Sequence, residues 1–522
     1  MTIGPLTKGA RIVAQSKFHI CLLGDFTGRE HDFEEPGPLV VSANTWDGLF
    51  EKLEPSLYMQ IELPRVDGII LNLRFTSLRD FTVKGLRSRI PLLVDITALA
   101  TAINRADANS PLNYRTLMTE HPRLEVIIDL ARVSGEDQVI DLLSMVDIGE
   151  EEGGLEMPIL KKIIATSEYD GSESARALAE LDNFVNLILD TVLKNRDFKR
   201  LSGLWRGLKQ FLPHLRRRDD GPRIELKLIS SPNNQLCDAV FLTFIRPEQG
   251  EPLPLDLLVC CEPQDLGGRS QHTLLHLGRM ADGLSVPFIL ETAPEIFGCK
   301  SWGLVRHVKD ISGKLAGPTH IKWRKLREEP GAEWLFLAAN PFRIKPNDED
   351  DTDETEPTSP ACFLPALIML EKLADGLWPS EMHGAWGRYE APGQRLAALN
   401  EEQLSDMAFE GYMGVGVSDG GEWLELAGIT CFSALKIPAR DQANPANILE
   451  YTLPYRFYSG CCSRFLAEHD GGDLLADLRE FTGVKKEEDL VHEVDEGQHL
   501  FRIKAPFTVL GVQPDLILAI DE

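Results

Sequence analysis

Gly416-Val417-Ser418-Asp419-Gly420 fits G-x-S-x-G, the pattern in which a sharp strand-to-helix turn exposes a serine nucleophile. His469 and Asp473 could supply a base and its orienting acid, which would make the chain a cytoplasmic serine hydrolase. The residues that follow, Glu422-Trp423-Leu424-Glu425-Leu426-Ala427, alternate as a strand does, so the glycines read more simply as a turn between strands. Gly24-Asp25-Phe26-Thr27-Gly28 has the glycines of a phosphate loop, but Arg29-Glu30 follows where lysine and a hydroxyl are needed. Ser312-Gly313-Lys314 has the lysine, with Val308 where the first glycine of such a loop belongs. The acidic run Asp348 to Glu356 lacks the glycine turn and spacing of a calcium loop. No H-E-x-x-H and no G-x-G-x-x-G after a strand occurs. The residue types therefore predict no catalytic site, no cofactor and no metal centre.

Composition narrows the partners. The 522 residues carry 54 basic and 81 acidic side chains, a net charge of -27, which argues against a nucleic-acid partner because phosphate binding needs a basic face. Copies of so acidic a chain can associate through patches where charge is locally neutral or complementary. No stretch reaches the length of an apolar membrane span, and Met1-Thr2-Ile3-Gly4-Pro5 lacks the basic and apolar regions of a signal peptide, so a cytoplasmic location is expected. The nine cysteines show no C-x-x-C spacing. The pairs Cys260-Cys261 and Cys461-Cys462 lie in or beside apolar runs and read as buried thiols.

The elements that would position these residues follow from hydrophobic patterning. Residues 18–24 and Ile69 to Phe75 read as buried strands, with helical spacing from Trp46 to Leu53 between them. Leu124 to Leu130 and Val139 to Val146 read as helical or mixed. Gly149 to Gly154 combines glycine with like charge and reads as a linker. Leu178, Leu181, Val185, Ile188 and Val192 form one apolar stripe on a helix, and Ile224 to Ile229 reads as a strand.

Two cassettes carry a family resemblance. Phe18 to Gly28 ends in Leu23-Gly24-Asp25-Phe26-Thr27-Gly28, and Leu73-Arg74-Phe75-Thr76-Ser77-Leu78-Arg79-Asp80-Phe81 follows it. Together they resemble the small (TssB or VipA type) sheath protein of bacterial type VI secretion systems over roughly residues 10–95. Phe198-Lys199-Arg200-Leu201-Ser202-Gly203-Leu204-Trp205-Arg206-Gly207-Leu208 resembles a motif of the large (TssC or VipB type) sheath protein. Further resemblances to the large protein follow in order: Val286-Pro287-Phe288 with Pro294 to Gly298, Trp323 to Arg327, Leu337 to Pro341, then Leu453-Pro454-Tyr455 and Ser463-Arg464-Phe465. The chain departs from that pattern at Ser202, where the family has glutamate, and at Phe342, where it has arginine. It also lacks the histidine expected just after Phe465.

The resemblance implies an α/β, two-domain sheath protomer whose small and large halves share one chain. Its expected divisions are a linker arm at 1–16, a small-type domain at 17–148, a linker at 149–156, a large-type domain at 157–514 with an acidic loop at 346–360, and a second arm at 515–522. Gly24, Asp25, Phe26, Gly28, Asp80, Phe81, Phe198, Trp205, Arg206, Gly207, Pro287, Phe288, Trp323, Arg327, Arg464 and Phe465 would be structural motif residues. Trp205 with Arg206 reads either as an interface hot spot or as core. Ile12, Val13 and Ala14, with Leu516, Ile517, Leu518, Ala519 and Ile520, would lie on arms that add strands to neighbouring copies. The implied partners are the chain itself as a helical homopolymer, an Hcp-type tube protein, a baseplate and a ClpV-type AAA+ unfoldase. In the family that unfoldase docks on an N-terminal helix; the corresponding segment here, Leu155 to Ile164, is internal. A sheath homologue that does not contract, or one from another injection device, would share these residues.

Overall fold

The computed structural model describes residues 12, 16–29, 37–63, 66–105, 114–125, 171–216, 221–248, 250–343, 358–380, 382, 384–390, 399–417, 423–433, 444–495 and 498–521. The chain divides into two compact units. The first comprises residues 1–53, 203–347 and 357–522, and the second residues 54–202 and 348–356.

In chain order the strands are Lys17–Gly24 (β1) and Leu39–Val41 (β2), then Ser56–Leu63 (β3) and Val66–Arg74 (β4), then Arg223–Ser230 (β5), Leu257–Gln264 (β6) and Phe288–Thr292 (β7). Leu335–Ala339 (β8), Phe342–Arg343 (β9) and Thr358–Ser359 (β10) follow, then Gly384–Glu390 (β11), Tyr412–Val417 (β12) and Trp423–Ala427 (β13). Leu490–Asp495 (β14), Gln498–Lys504 (β15) and Asp515–Asp521 (β16) complete the series.

The first unit is built on a nine-stranded sheet ordered β11-β13-β12-β8-β7-β6-β1-β5-β2. Its centre is parallel: β1 pairs with β5 and with β6, β6 with β7, β7 with β8, and β8 with β12. Parallel strands covered by helices on both faces need near-continuous apolar sequence. β1 supplies it, with Phe18 to Gly24 all buried, and β8 is buried along its whole length. The β2, β13 and β11 edges are antiparallel. This mixed sheet flanked by helices is the α/β architecture expected of a sheath protomer. The helices Gly268–Leu284 and Phe363–Ala374 belong to this unit; the second is buried at almost every position, which explains its almost uninterrupted apolar sequence.

The second unit contains the β3–β4 antiparallel hairpin and the helices Val83–Arg89, Pro91–Arg105, Tyr114–Glu120 and Gly171–Lys194. Leu181, Val185, Ile188 and Val192 of the last helix are buried as the stripe requires, and Leu178 is half-buried at its rim. Residues 126–170, which include the expected 149–156 linker and the segment Leu155 to Ile164, lie outside the described residues.

β1 belongs to the expected small-type half, and β5 to β8 to the large-type half. The lines of resemblance therefore run through one sheet, whereas the compact units follow packing.

Three expected features change. The acidic loop at 346–360 ends earlier than its sequence suggests, because Thr358–Ser359 pairs with Phe342–Arg343 and Ser359 is buried. Of the expected arm 515–522, the described residues 515–521 are not free in the single chain. Asp515–Asp521 pairs with β15 in seven consecutive register positions and buries Leu516, because the β14–β15 hairpin presents a matching edge at Gln498–Lys504. At the other end, Ile12 is buried and its N–H donates to the Gly376 carbonyl at 2.7 Å, so this residue of the 1–16 arm packs on its own chain. Val13 and Ala14 lie outside the described residues.

Candidate functional site: a buried motif network

The Gly24-Asp25-Phe26-Thr27-Gly28 cassette turns at the end of β1 around one carboxylate. Asp25 Oδ1 accepts from the Thr27 hydroxyl at 2.9 Å and from the Thr27 and Gly28 N–H groups at 3.1 and 2.9 Å. Gly28 stands at φ +69, a left-handed conformation that glycine adopts without strain. At Gly24 a Cβ would come within 3.1 Å of Cys261 Cβ, so the small residue lets β1 lie close to β6. The Asp25 N–H donates to Glu262 Oε1 at 2.8 Å. Acidic groups and self-satisfied amides fill the space where a phosphate would need cations and open donors.

Phe26 leads directly to Trp205. The Trp205 indole N–H donates to the Phe26 carbonyl at 3.0 Å, and its ring stacks on Phe50 at 3.9 Å and meets Phe26 and Trp46 edge-on, each at 6.0 Å. Trp205 is fully buried, so of its two readings the core one holds. Arg206 is half-buried beside it. Gly207 faces Phe363, where a Cβ would sit 2.5 Å from the ring, and this closeness seats the C-terminal part of the helix Arg196–Lys209.

In the second unit the other cassette closes on Asp80. Its Oδ2 accepts from the Thr76 N–H and hydroxyl at 2.6 and 2.9 Å and from the Ser77 N–H at 3.1 Å, while Arg89 Nε donates to Oδ1 at 3.2 Å. The Phe81 ring stacks on Phe75 at 4.0 Å, and both pack against Phe198 at about 6 Å. Both N-terminal cassettes thus touch residues of the Phe198 to Leu208 segment: Phe26 meets Trp205 in the first unit, and Phe75 and Phe81 meet Phe198 in the second.

The remaining motif residues hold the first unit together. Pro287 and Phe288 are buried at the start of β7. The Trp323 indole donates to the Tyr412 hydroxyl at 2.9 Å; Arg327 donates to the Phe432 carbonyl at 2.9 Å and to Glu410 at 3.1 Å. Arg464 grips Asp256 with two donors, at 2.7 and 3.1 Å, and donates to Glu468 at 2.7 Å and to the Lys17 carbonyl at 3.1 Å. Asp256 also accepts from the His19 N–H at 2.7 Å. Burial pushes the Asp256 carboxyl up, and the Arg464 guanidinium pulls it back toward the ionised form. Burial, with Lys17 and Arg464 nearby, pushes the His19 imidazole down to about 4, so it is neutral at pH 7. Phe465 stacks on Phe481 at 4.6 Å.

The structure fits the reading of strands on both sides of this motif and not the elbow. β12 and β13 run antiparallel on either side of the G-x-S-x-G turn, so the strand-to-helix context is missing; Ser418 itself lies outside the described residues. Asp473 caps the helix Leu474–Thr482 through the Ala476 N–H, and His469 pairs instead with Asp477 at 2.9 Å. Lys314 lies in a short helix capped by Asp310, not in a phosphate loop. Cys260, Cys261, Cys461 and Cys462 are buried free thiols, as expected.

Sequence reading passed over Asp256, Glu262 and Glu291. Each is a carboxylate inside an apolar run, a position that requires a partner and so carries a signal. Glu291 on β7 is fully buried, accepts from the Cys362 N–H at 2.8 Å, and is pushed by burial from an ordinary 4.5 to about 8. Folded protein therefore holds a proton here that the unfolded chain has lost, and this group's contribution to stability, full below pH 4.5, falls away as pH rises toward 8. Glu291→Gln is expected to flatten that loss and to raise the melting temperature most at pH 8 and above, by up to a few kcal/mol in stability. Melting curves from pH 5 to 9 check it; an equal shift at every pH would contradict the buried carboxylic acid.

Two comparisons bear on these motifs. Residues 258–358, from β6 to β10, match the VipB family, described as the EvpB-type tail sheath N-terminal domain. Over 245 residues the chain is 23% identical to the type VI secretion system sheath protein TssC1 of Pseudomonas aeruginosa, covering 41% of this chain and 49% of that protein. The chain thus spans about half the length of the curated relative it matches. Both findings support a large-type type VI sheath subunit, and the matched family is structural, not enzymatic.

Proposed function

We propose that this protein is a contractile-sheath protomer in which small-type (TssB-like) and large-type (TssC-like) halves are fused in one chain. The sheath-domain match over 258–358 is the observation that carries the reading. The position of β1 supports the fusion: a small-type strand fills the place between β5 and β6, in register with both. Without it, two central strands would expose unpaired backbone groups. Small- and large-type segments in one chain also fix their stoichiometry at one to one.

In this reading, copies associate head to tail by a rotation that does not close, which generates a helical polymer. The polymer wraps an Hcp-type tube, starts on a baseplate, and moves between two packings of nearly rigid subunits to drive the tube outward from the cytoplasm. A ClpV-type unfoldase would then act on the contracted form. Among the described residues no helix is long and apolar enough to cross a membrane. The arm residues Leu516 to Ile520, already paired with β15, would join copies by accepting a strand on their free edge, and Ile12 to Ala14 would do so on leaving the contact of Ile12 with Gly376. β16 is suited to this because it lies at a sheet edge with Ile517 63% exposed.

Co-expression with an Hcp-type tube protein tests the proposal. Negative-stain images should show tubes sheathed by this chain, in long and in shortened, widened forms. Bare tubes beside soluble monomer would refute it, and sheaths of a single length would favour the non-contracting homologue.

A further inference from the structure

The β14–β15 register sets His492 opposite Phe501 and His499 opposite Val494, so the two histidines lie on the same face, diagonal to one another on adjacent strands. His492 Nε2 and His499 Nδ1 are 2.9 Å apart, with the ring planes within 12° of each other. Phe501 stacks on the His492 ring at 4.5 Å. Both imidazoles are half-buried, so a small solute can reach them.

A divalent ion bound to two imidazole nitrogens at about 2.0–2.1 Å needs them roughly 2.9 Å apart for a right-angled pair and roughly 3.4 Å apart for a tetrahedral one. The separation already present falls at the first value; it is a hydrogen bond in which the two nitrogens face each other, so each ring must turn to aim its lone pair at an ion held between them. We propose that His492 and His499 form a two-imidazole chelate for a divalent transition metal of borderline softness, such as zinc, nickel or copper. In the free pair, one nitrogen donates a hydrogen to the other. On binding, that hydrogen moves through water to the outer nitrogen of the same ring, both inner lone pairs bind the ion, and the neutral pair loses no net proton. Among the described residues no group of three or more His, Cys, Asp or Glu side chains is placed to hold a metal, so water completes the coordination sphere. The ion would clip the edge strand β14 to β15.

A second histidine pair serves as the internal comparison. His272 and His276 lie one turn apart on the helix Gly268–Leu284, with ring centroids 4.1 Å apart, and His272 is exposed, with no aromatic ring other than His276 against it among the described residues. Zinc titration of the full chain, read by calorimetry and by amide hydrogen exchange, tests the assignment. Zinc should slow exchange in β14 and β15, and His492→Asn and His499→Asn should each weaken that response roughly tenfold or more. The double variant His272→Asn/His276→Asn should leave it unchanged, and melting curves establish that each variant is folded. The proposal is overturned if zinc gives no protection in β14 and β15 of the unaltered chain, or if protection there survives both single substitutions.

Discussion

Trp205→Ala is expected to destabilise the first unit by about 3–5 kcal/mol. The indole is fully buried, stacked on Phe50 and flanked by Phe26 and Trp46, so truncation opens a cavity lined by rings that cannot collapse together. It also removes the donor to the Phe26 carbonyl. Trp205→Phe separates the two terms, since it keeps most of the ring volume and loses the hydrogen bond, at about 1–3 kcal/mol. Denaturant unfolding measures both. A loss below about 1 kcal/mol for the alanine variant would mean that Trp205 acts outside the core.

Arg464→Ala should cost a similar amount for a different reason. Asp256 is fully buried, and losing the guanidinium leaves a carboxylate held by the His19 N–H with no counter-charge; breaking a buried pair in this way costs about 3–5 kcal/mol. Replacing both partners, Arg464→Met with Asp256→Leu, removes the stranded charge and should recover much of the stability. The recovery would be incomplete, because the His19 N–H loses its acceptor. Unfolding of the single and double variants forms a cycle, and a double variant no more stable than Arg464→Ala would contradict a charge-burial penalty.

Much of the local structure was legible because apolar periodicity is a local property. β1, the helix Trp46–Leu53, β5 and the stripe on Gly171–Lys194 all lie within a residue or two of their sequence expectations, apart from the longer start of that last helix. What the sequence could not reveal is pairing over long separations. Nothing in Phe18 to Gly24 says that it lies between Arg223–Ser230 and Leu257–Gln264, because a buried parallel strand shows no alternation to mark its neighbours. For the same reason Asp256 signals that it needs a partner but not that the partner is Arg464, 208 residues later. β16 reads equally well as a donated arm and as the third strand of its own hairpin, since an edge strand needs the same residues in either place.

The central claim is that one chain supplies both kinds of sheath subunit, and the most direct measurement is assembly of the purified protein in the absence of any other sheath protein. Sedimentation followed by negative-stain imaging should find it in helical tubes or stacked rings. A chain that stays monomeric until a separate small-type sheath protein is added, and then polymerises, would contradict the account, because the place of β1 in the sheet would not have made that partner unnecessary.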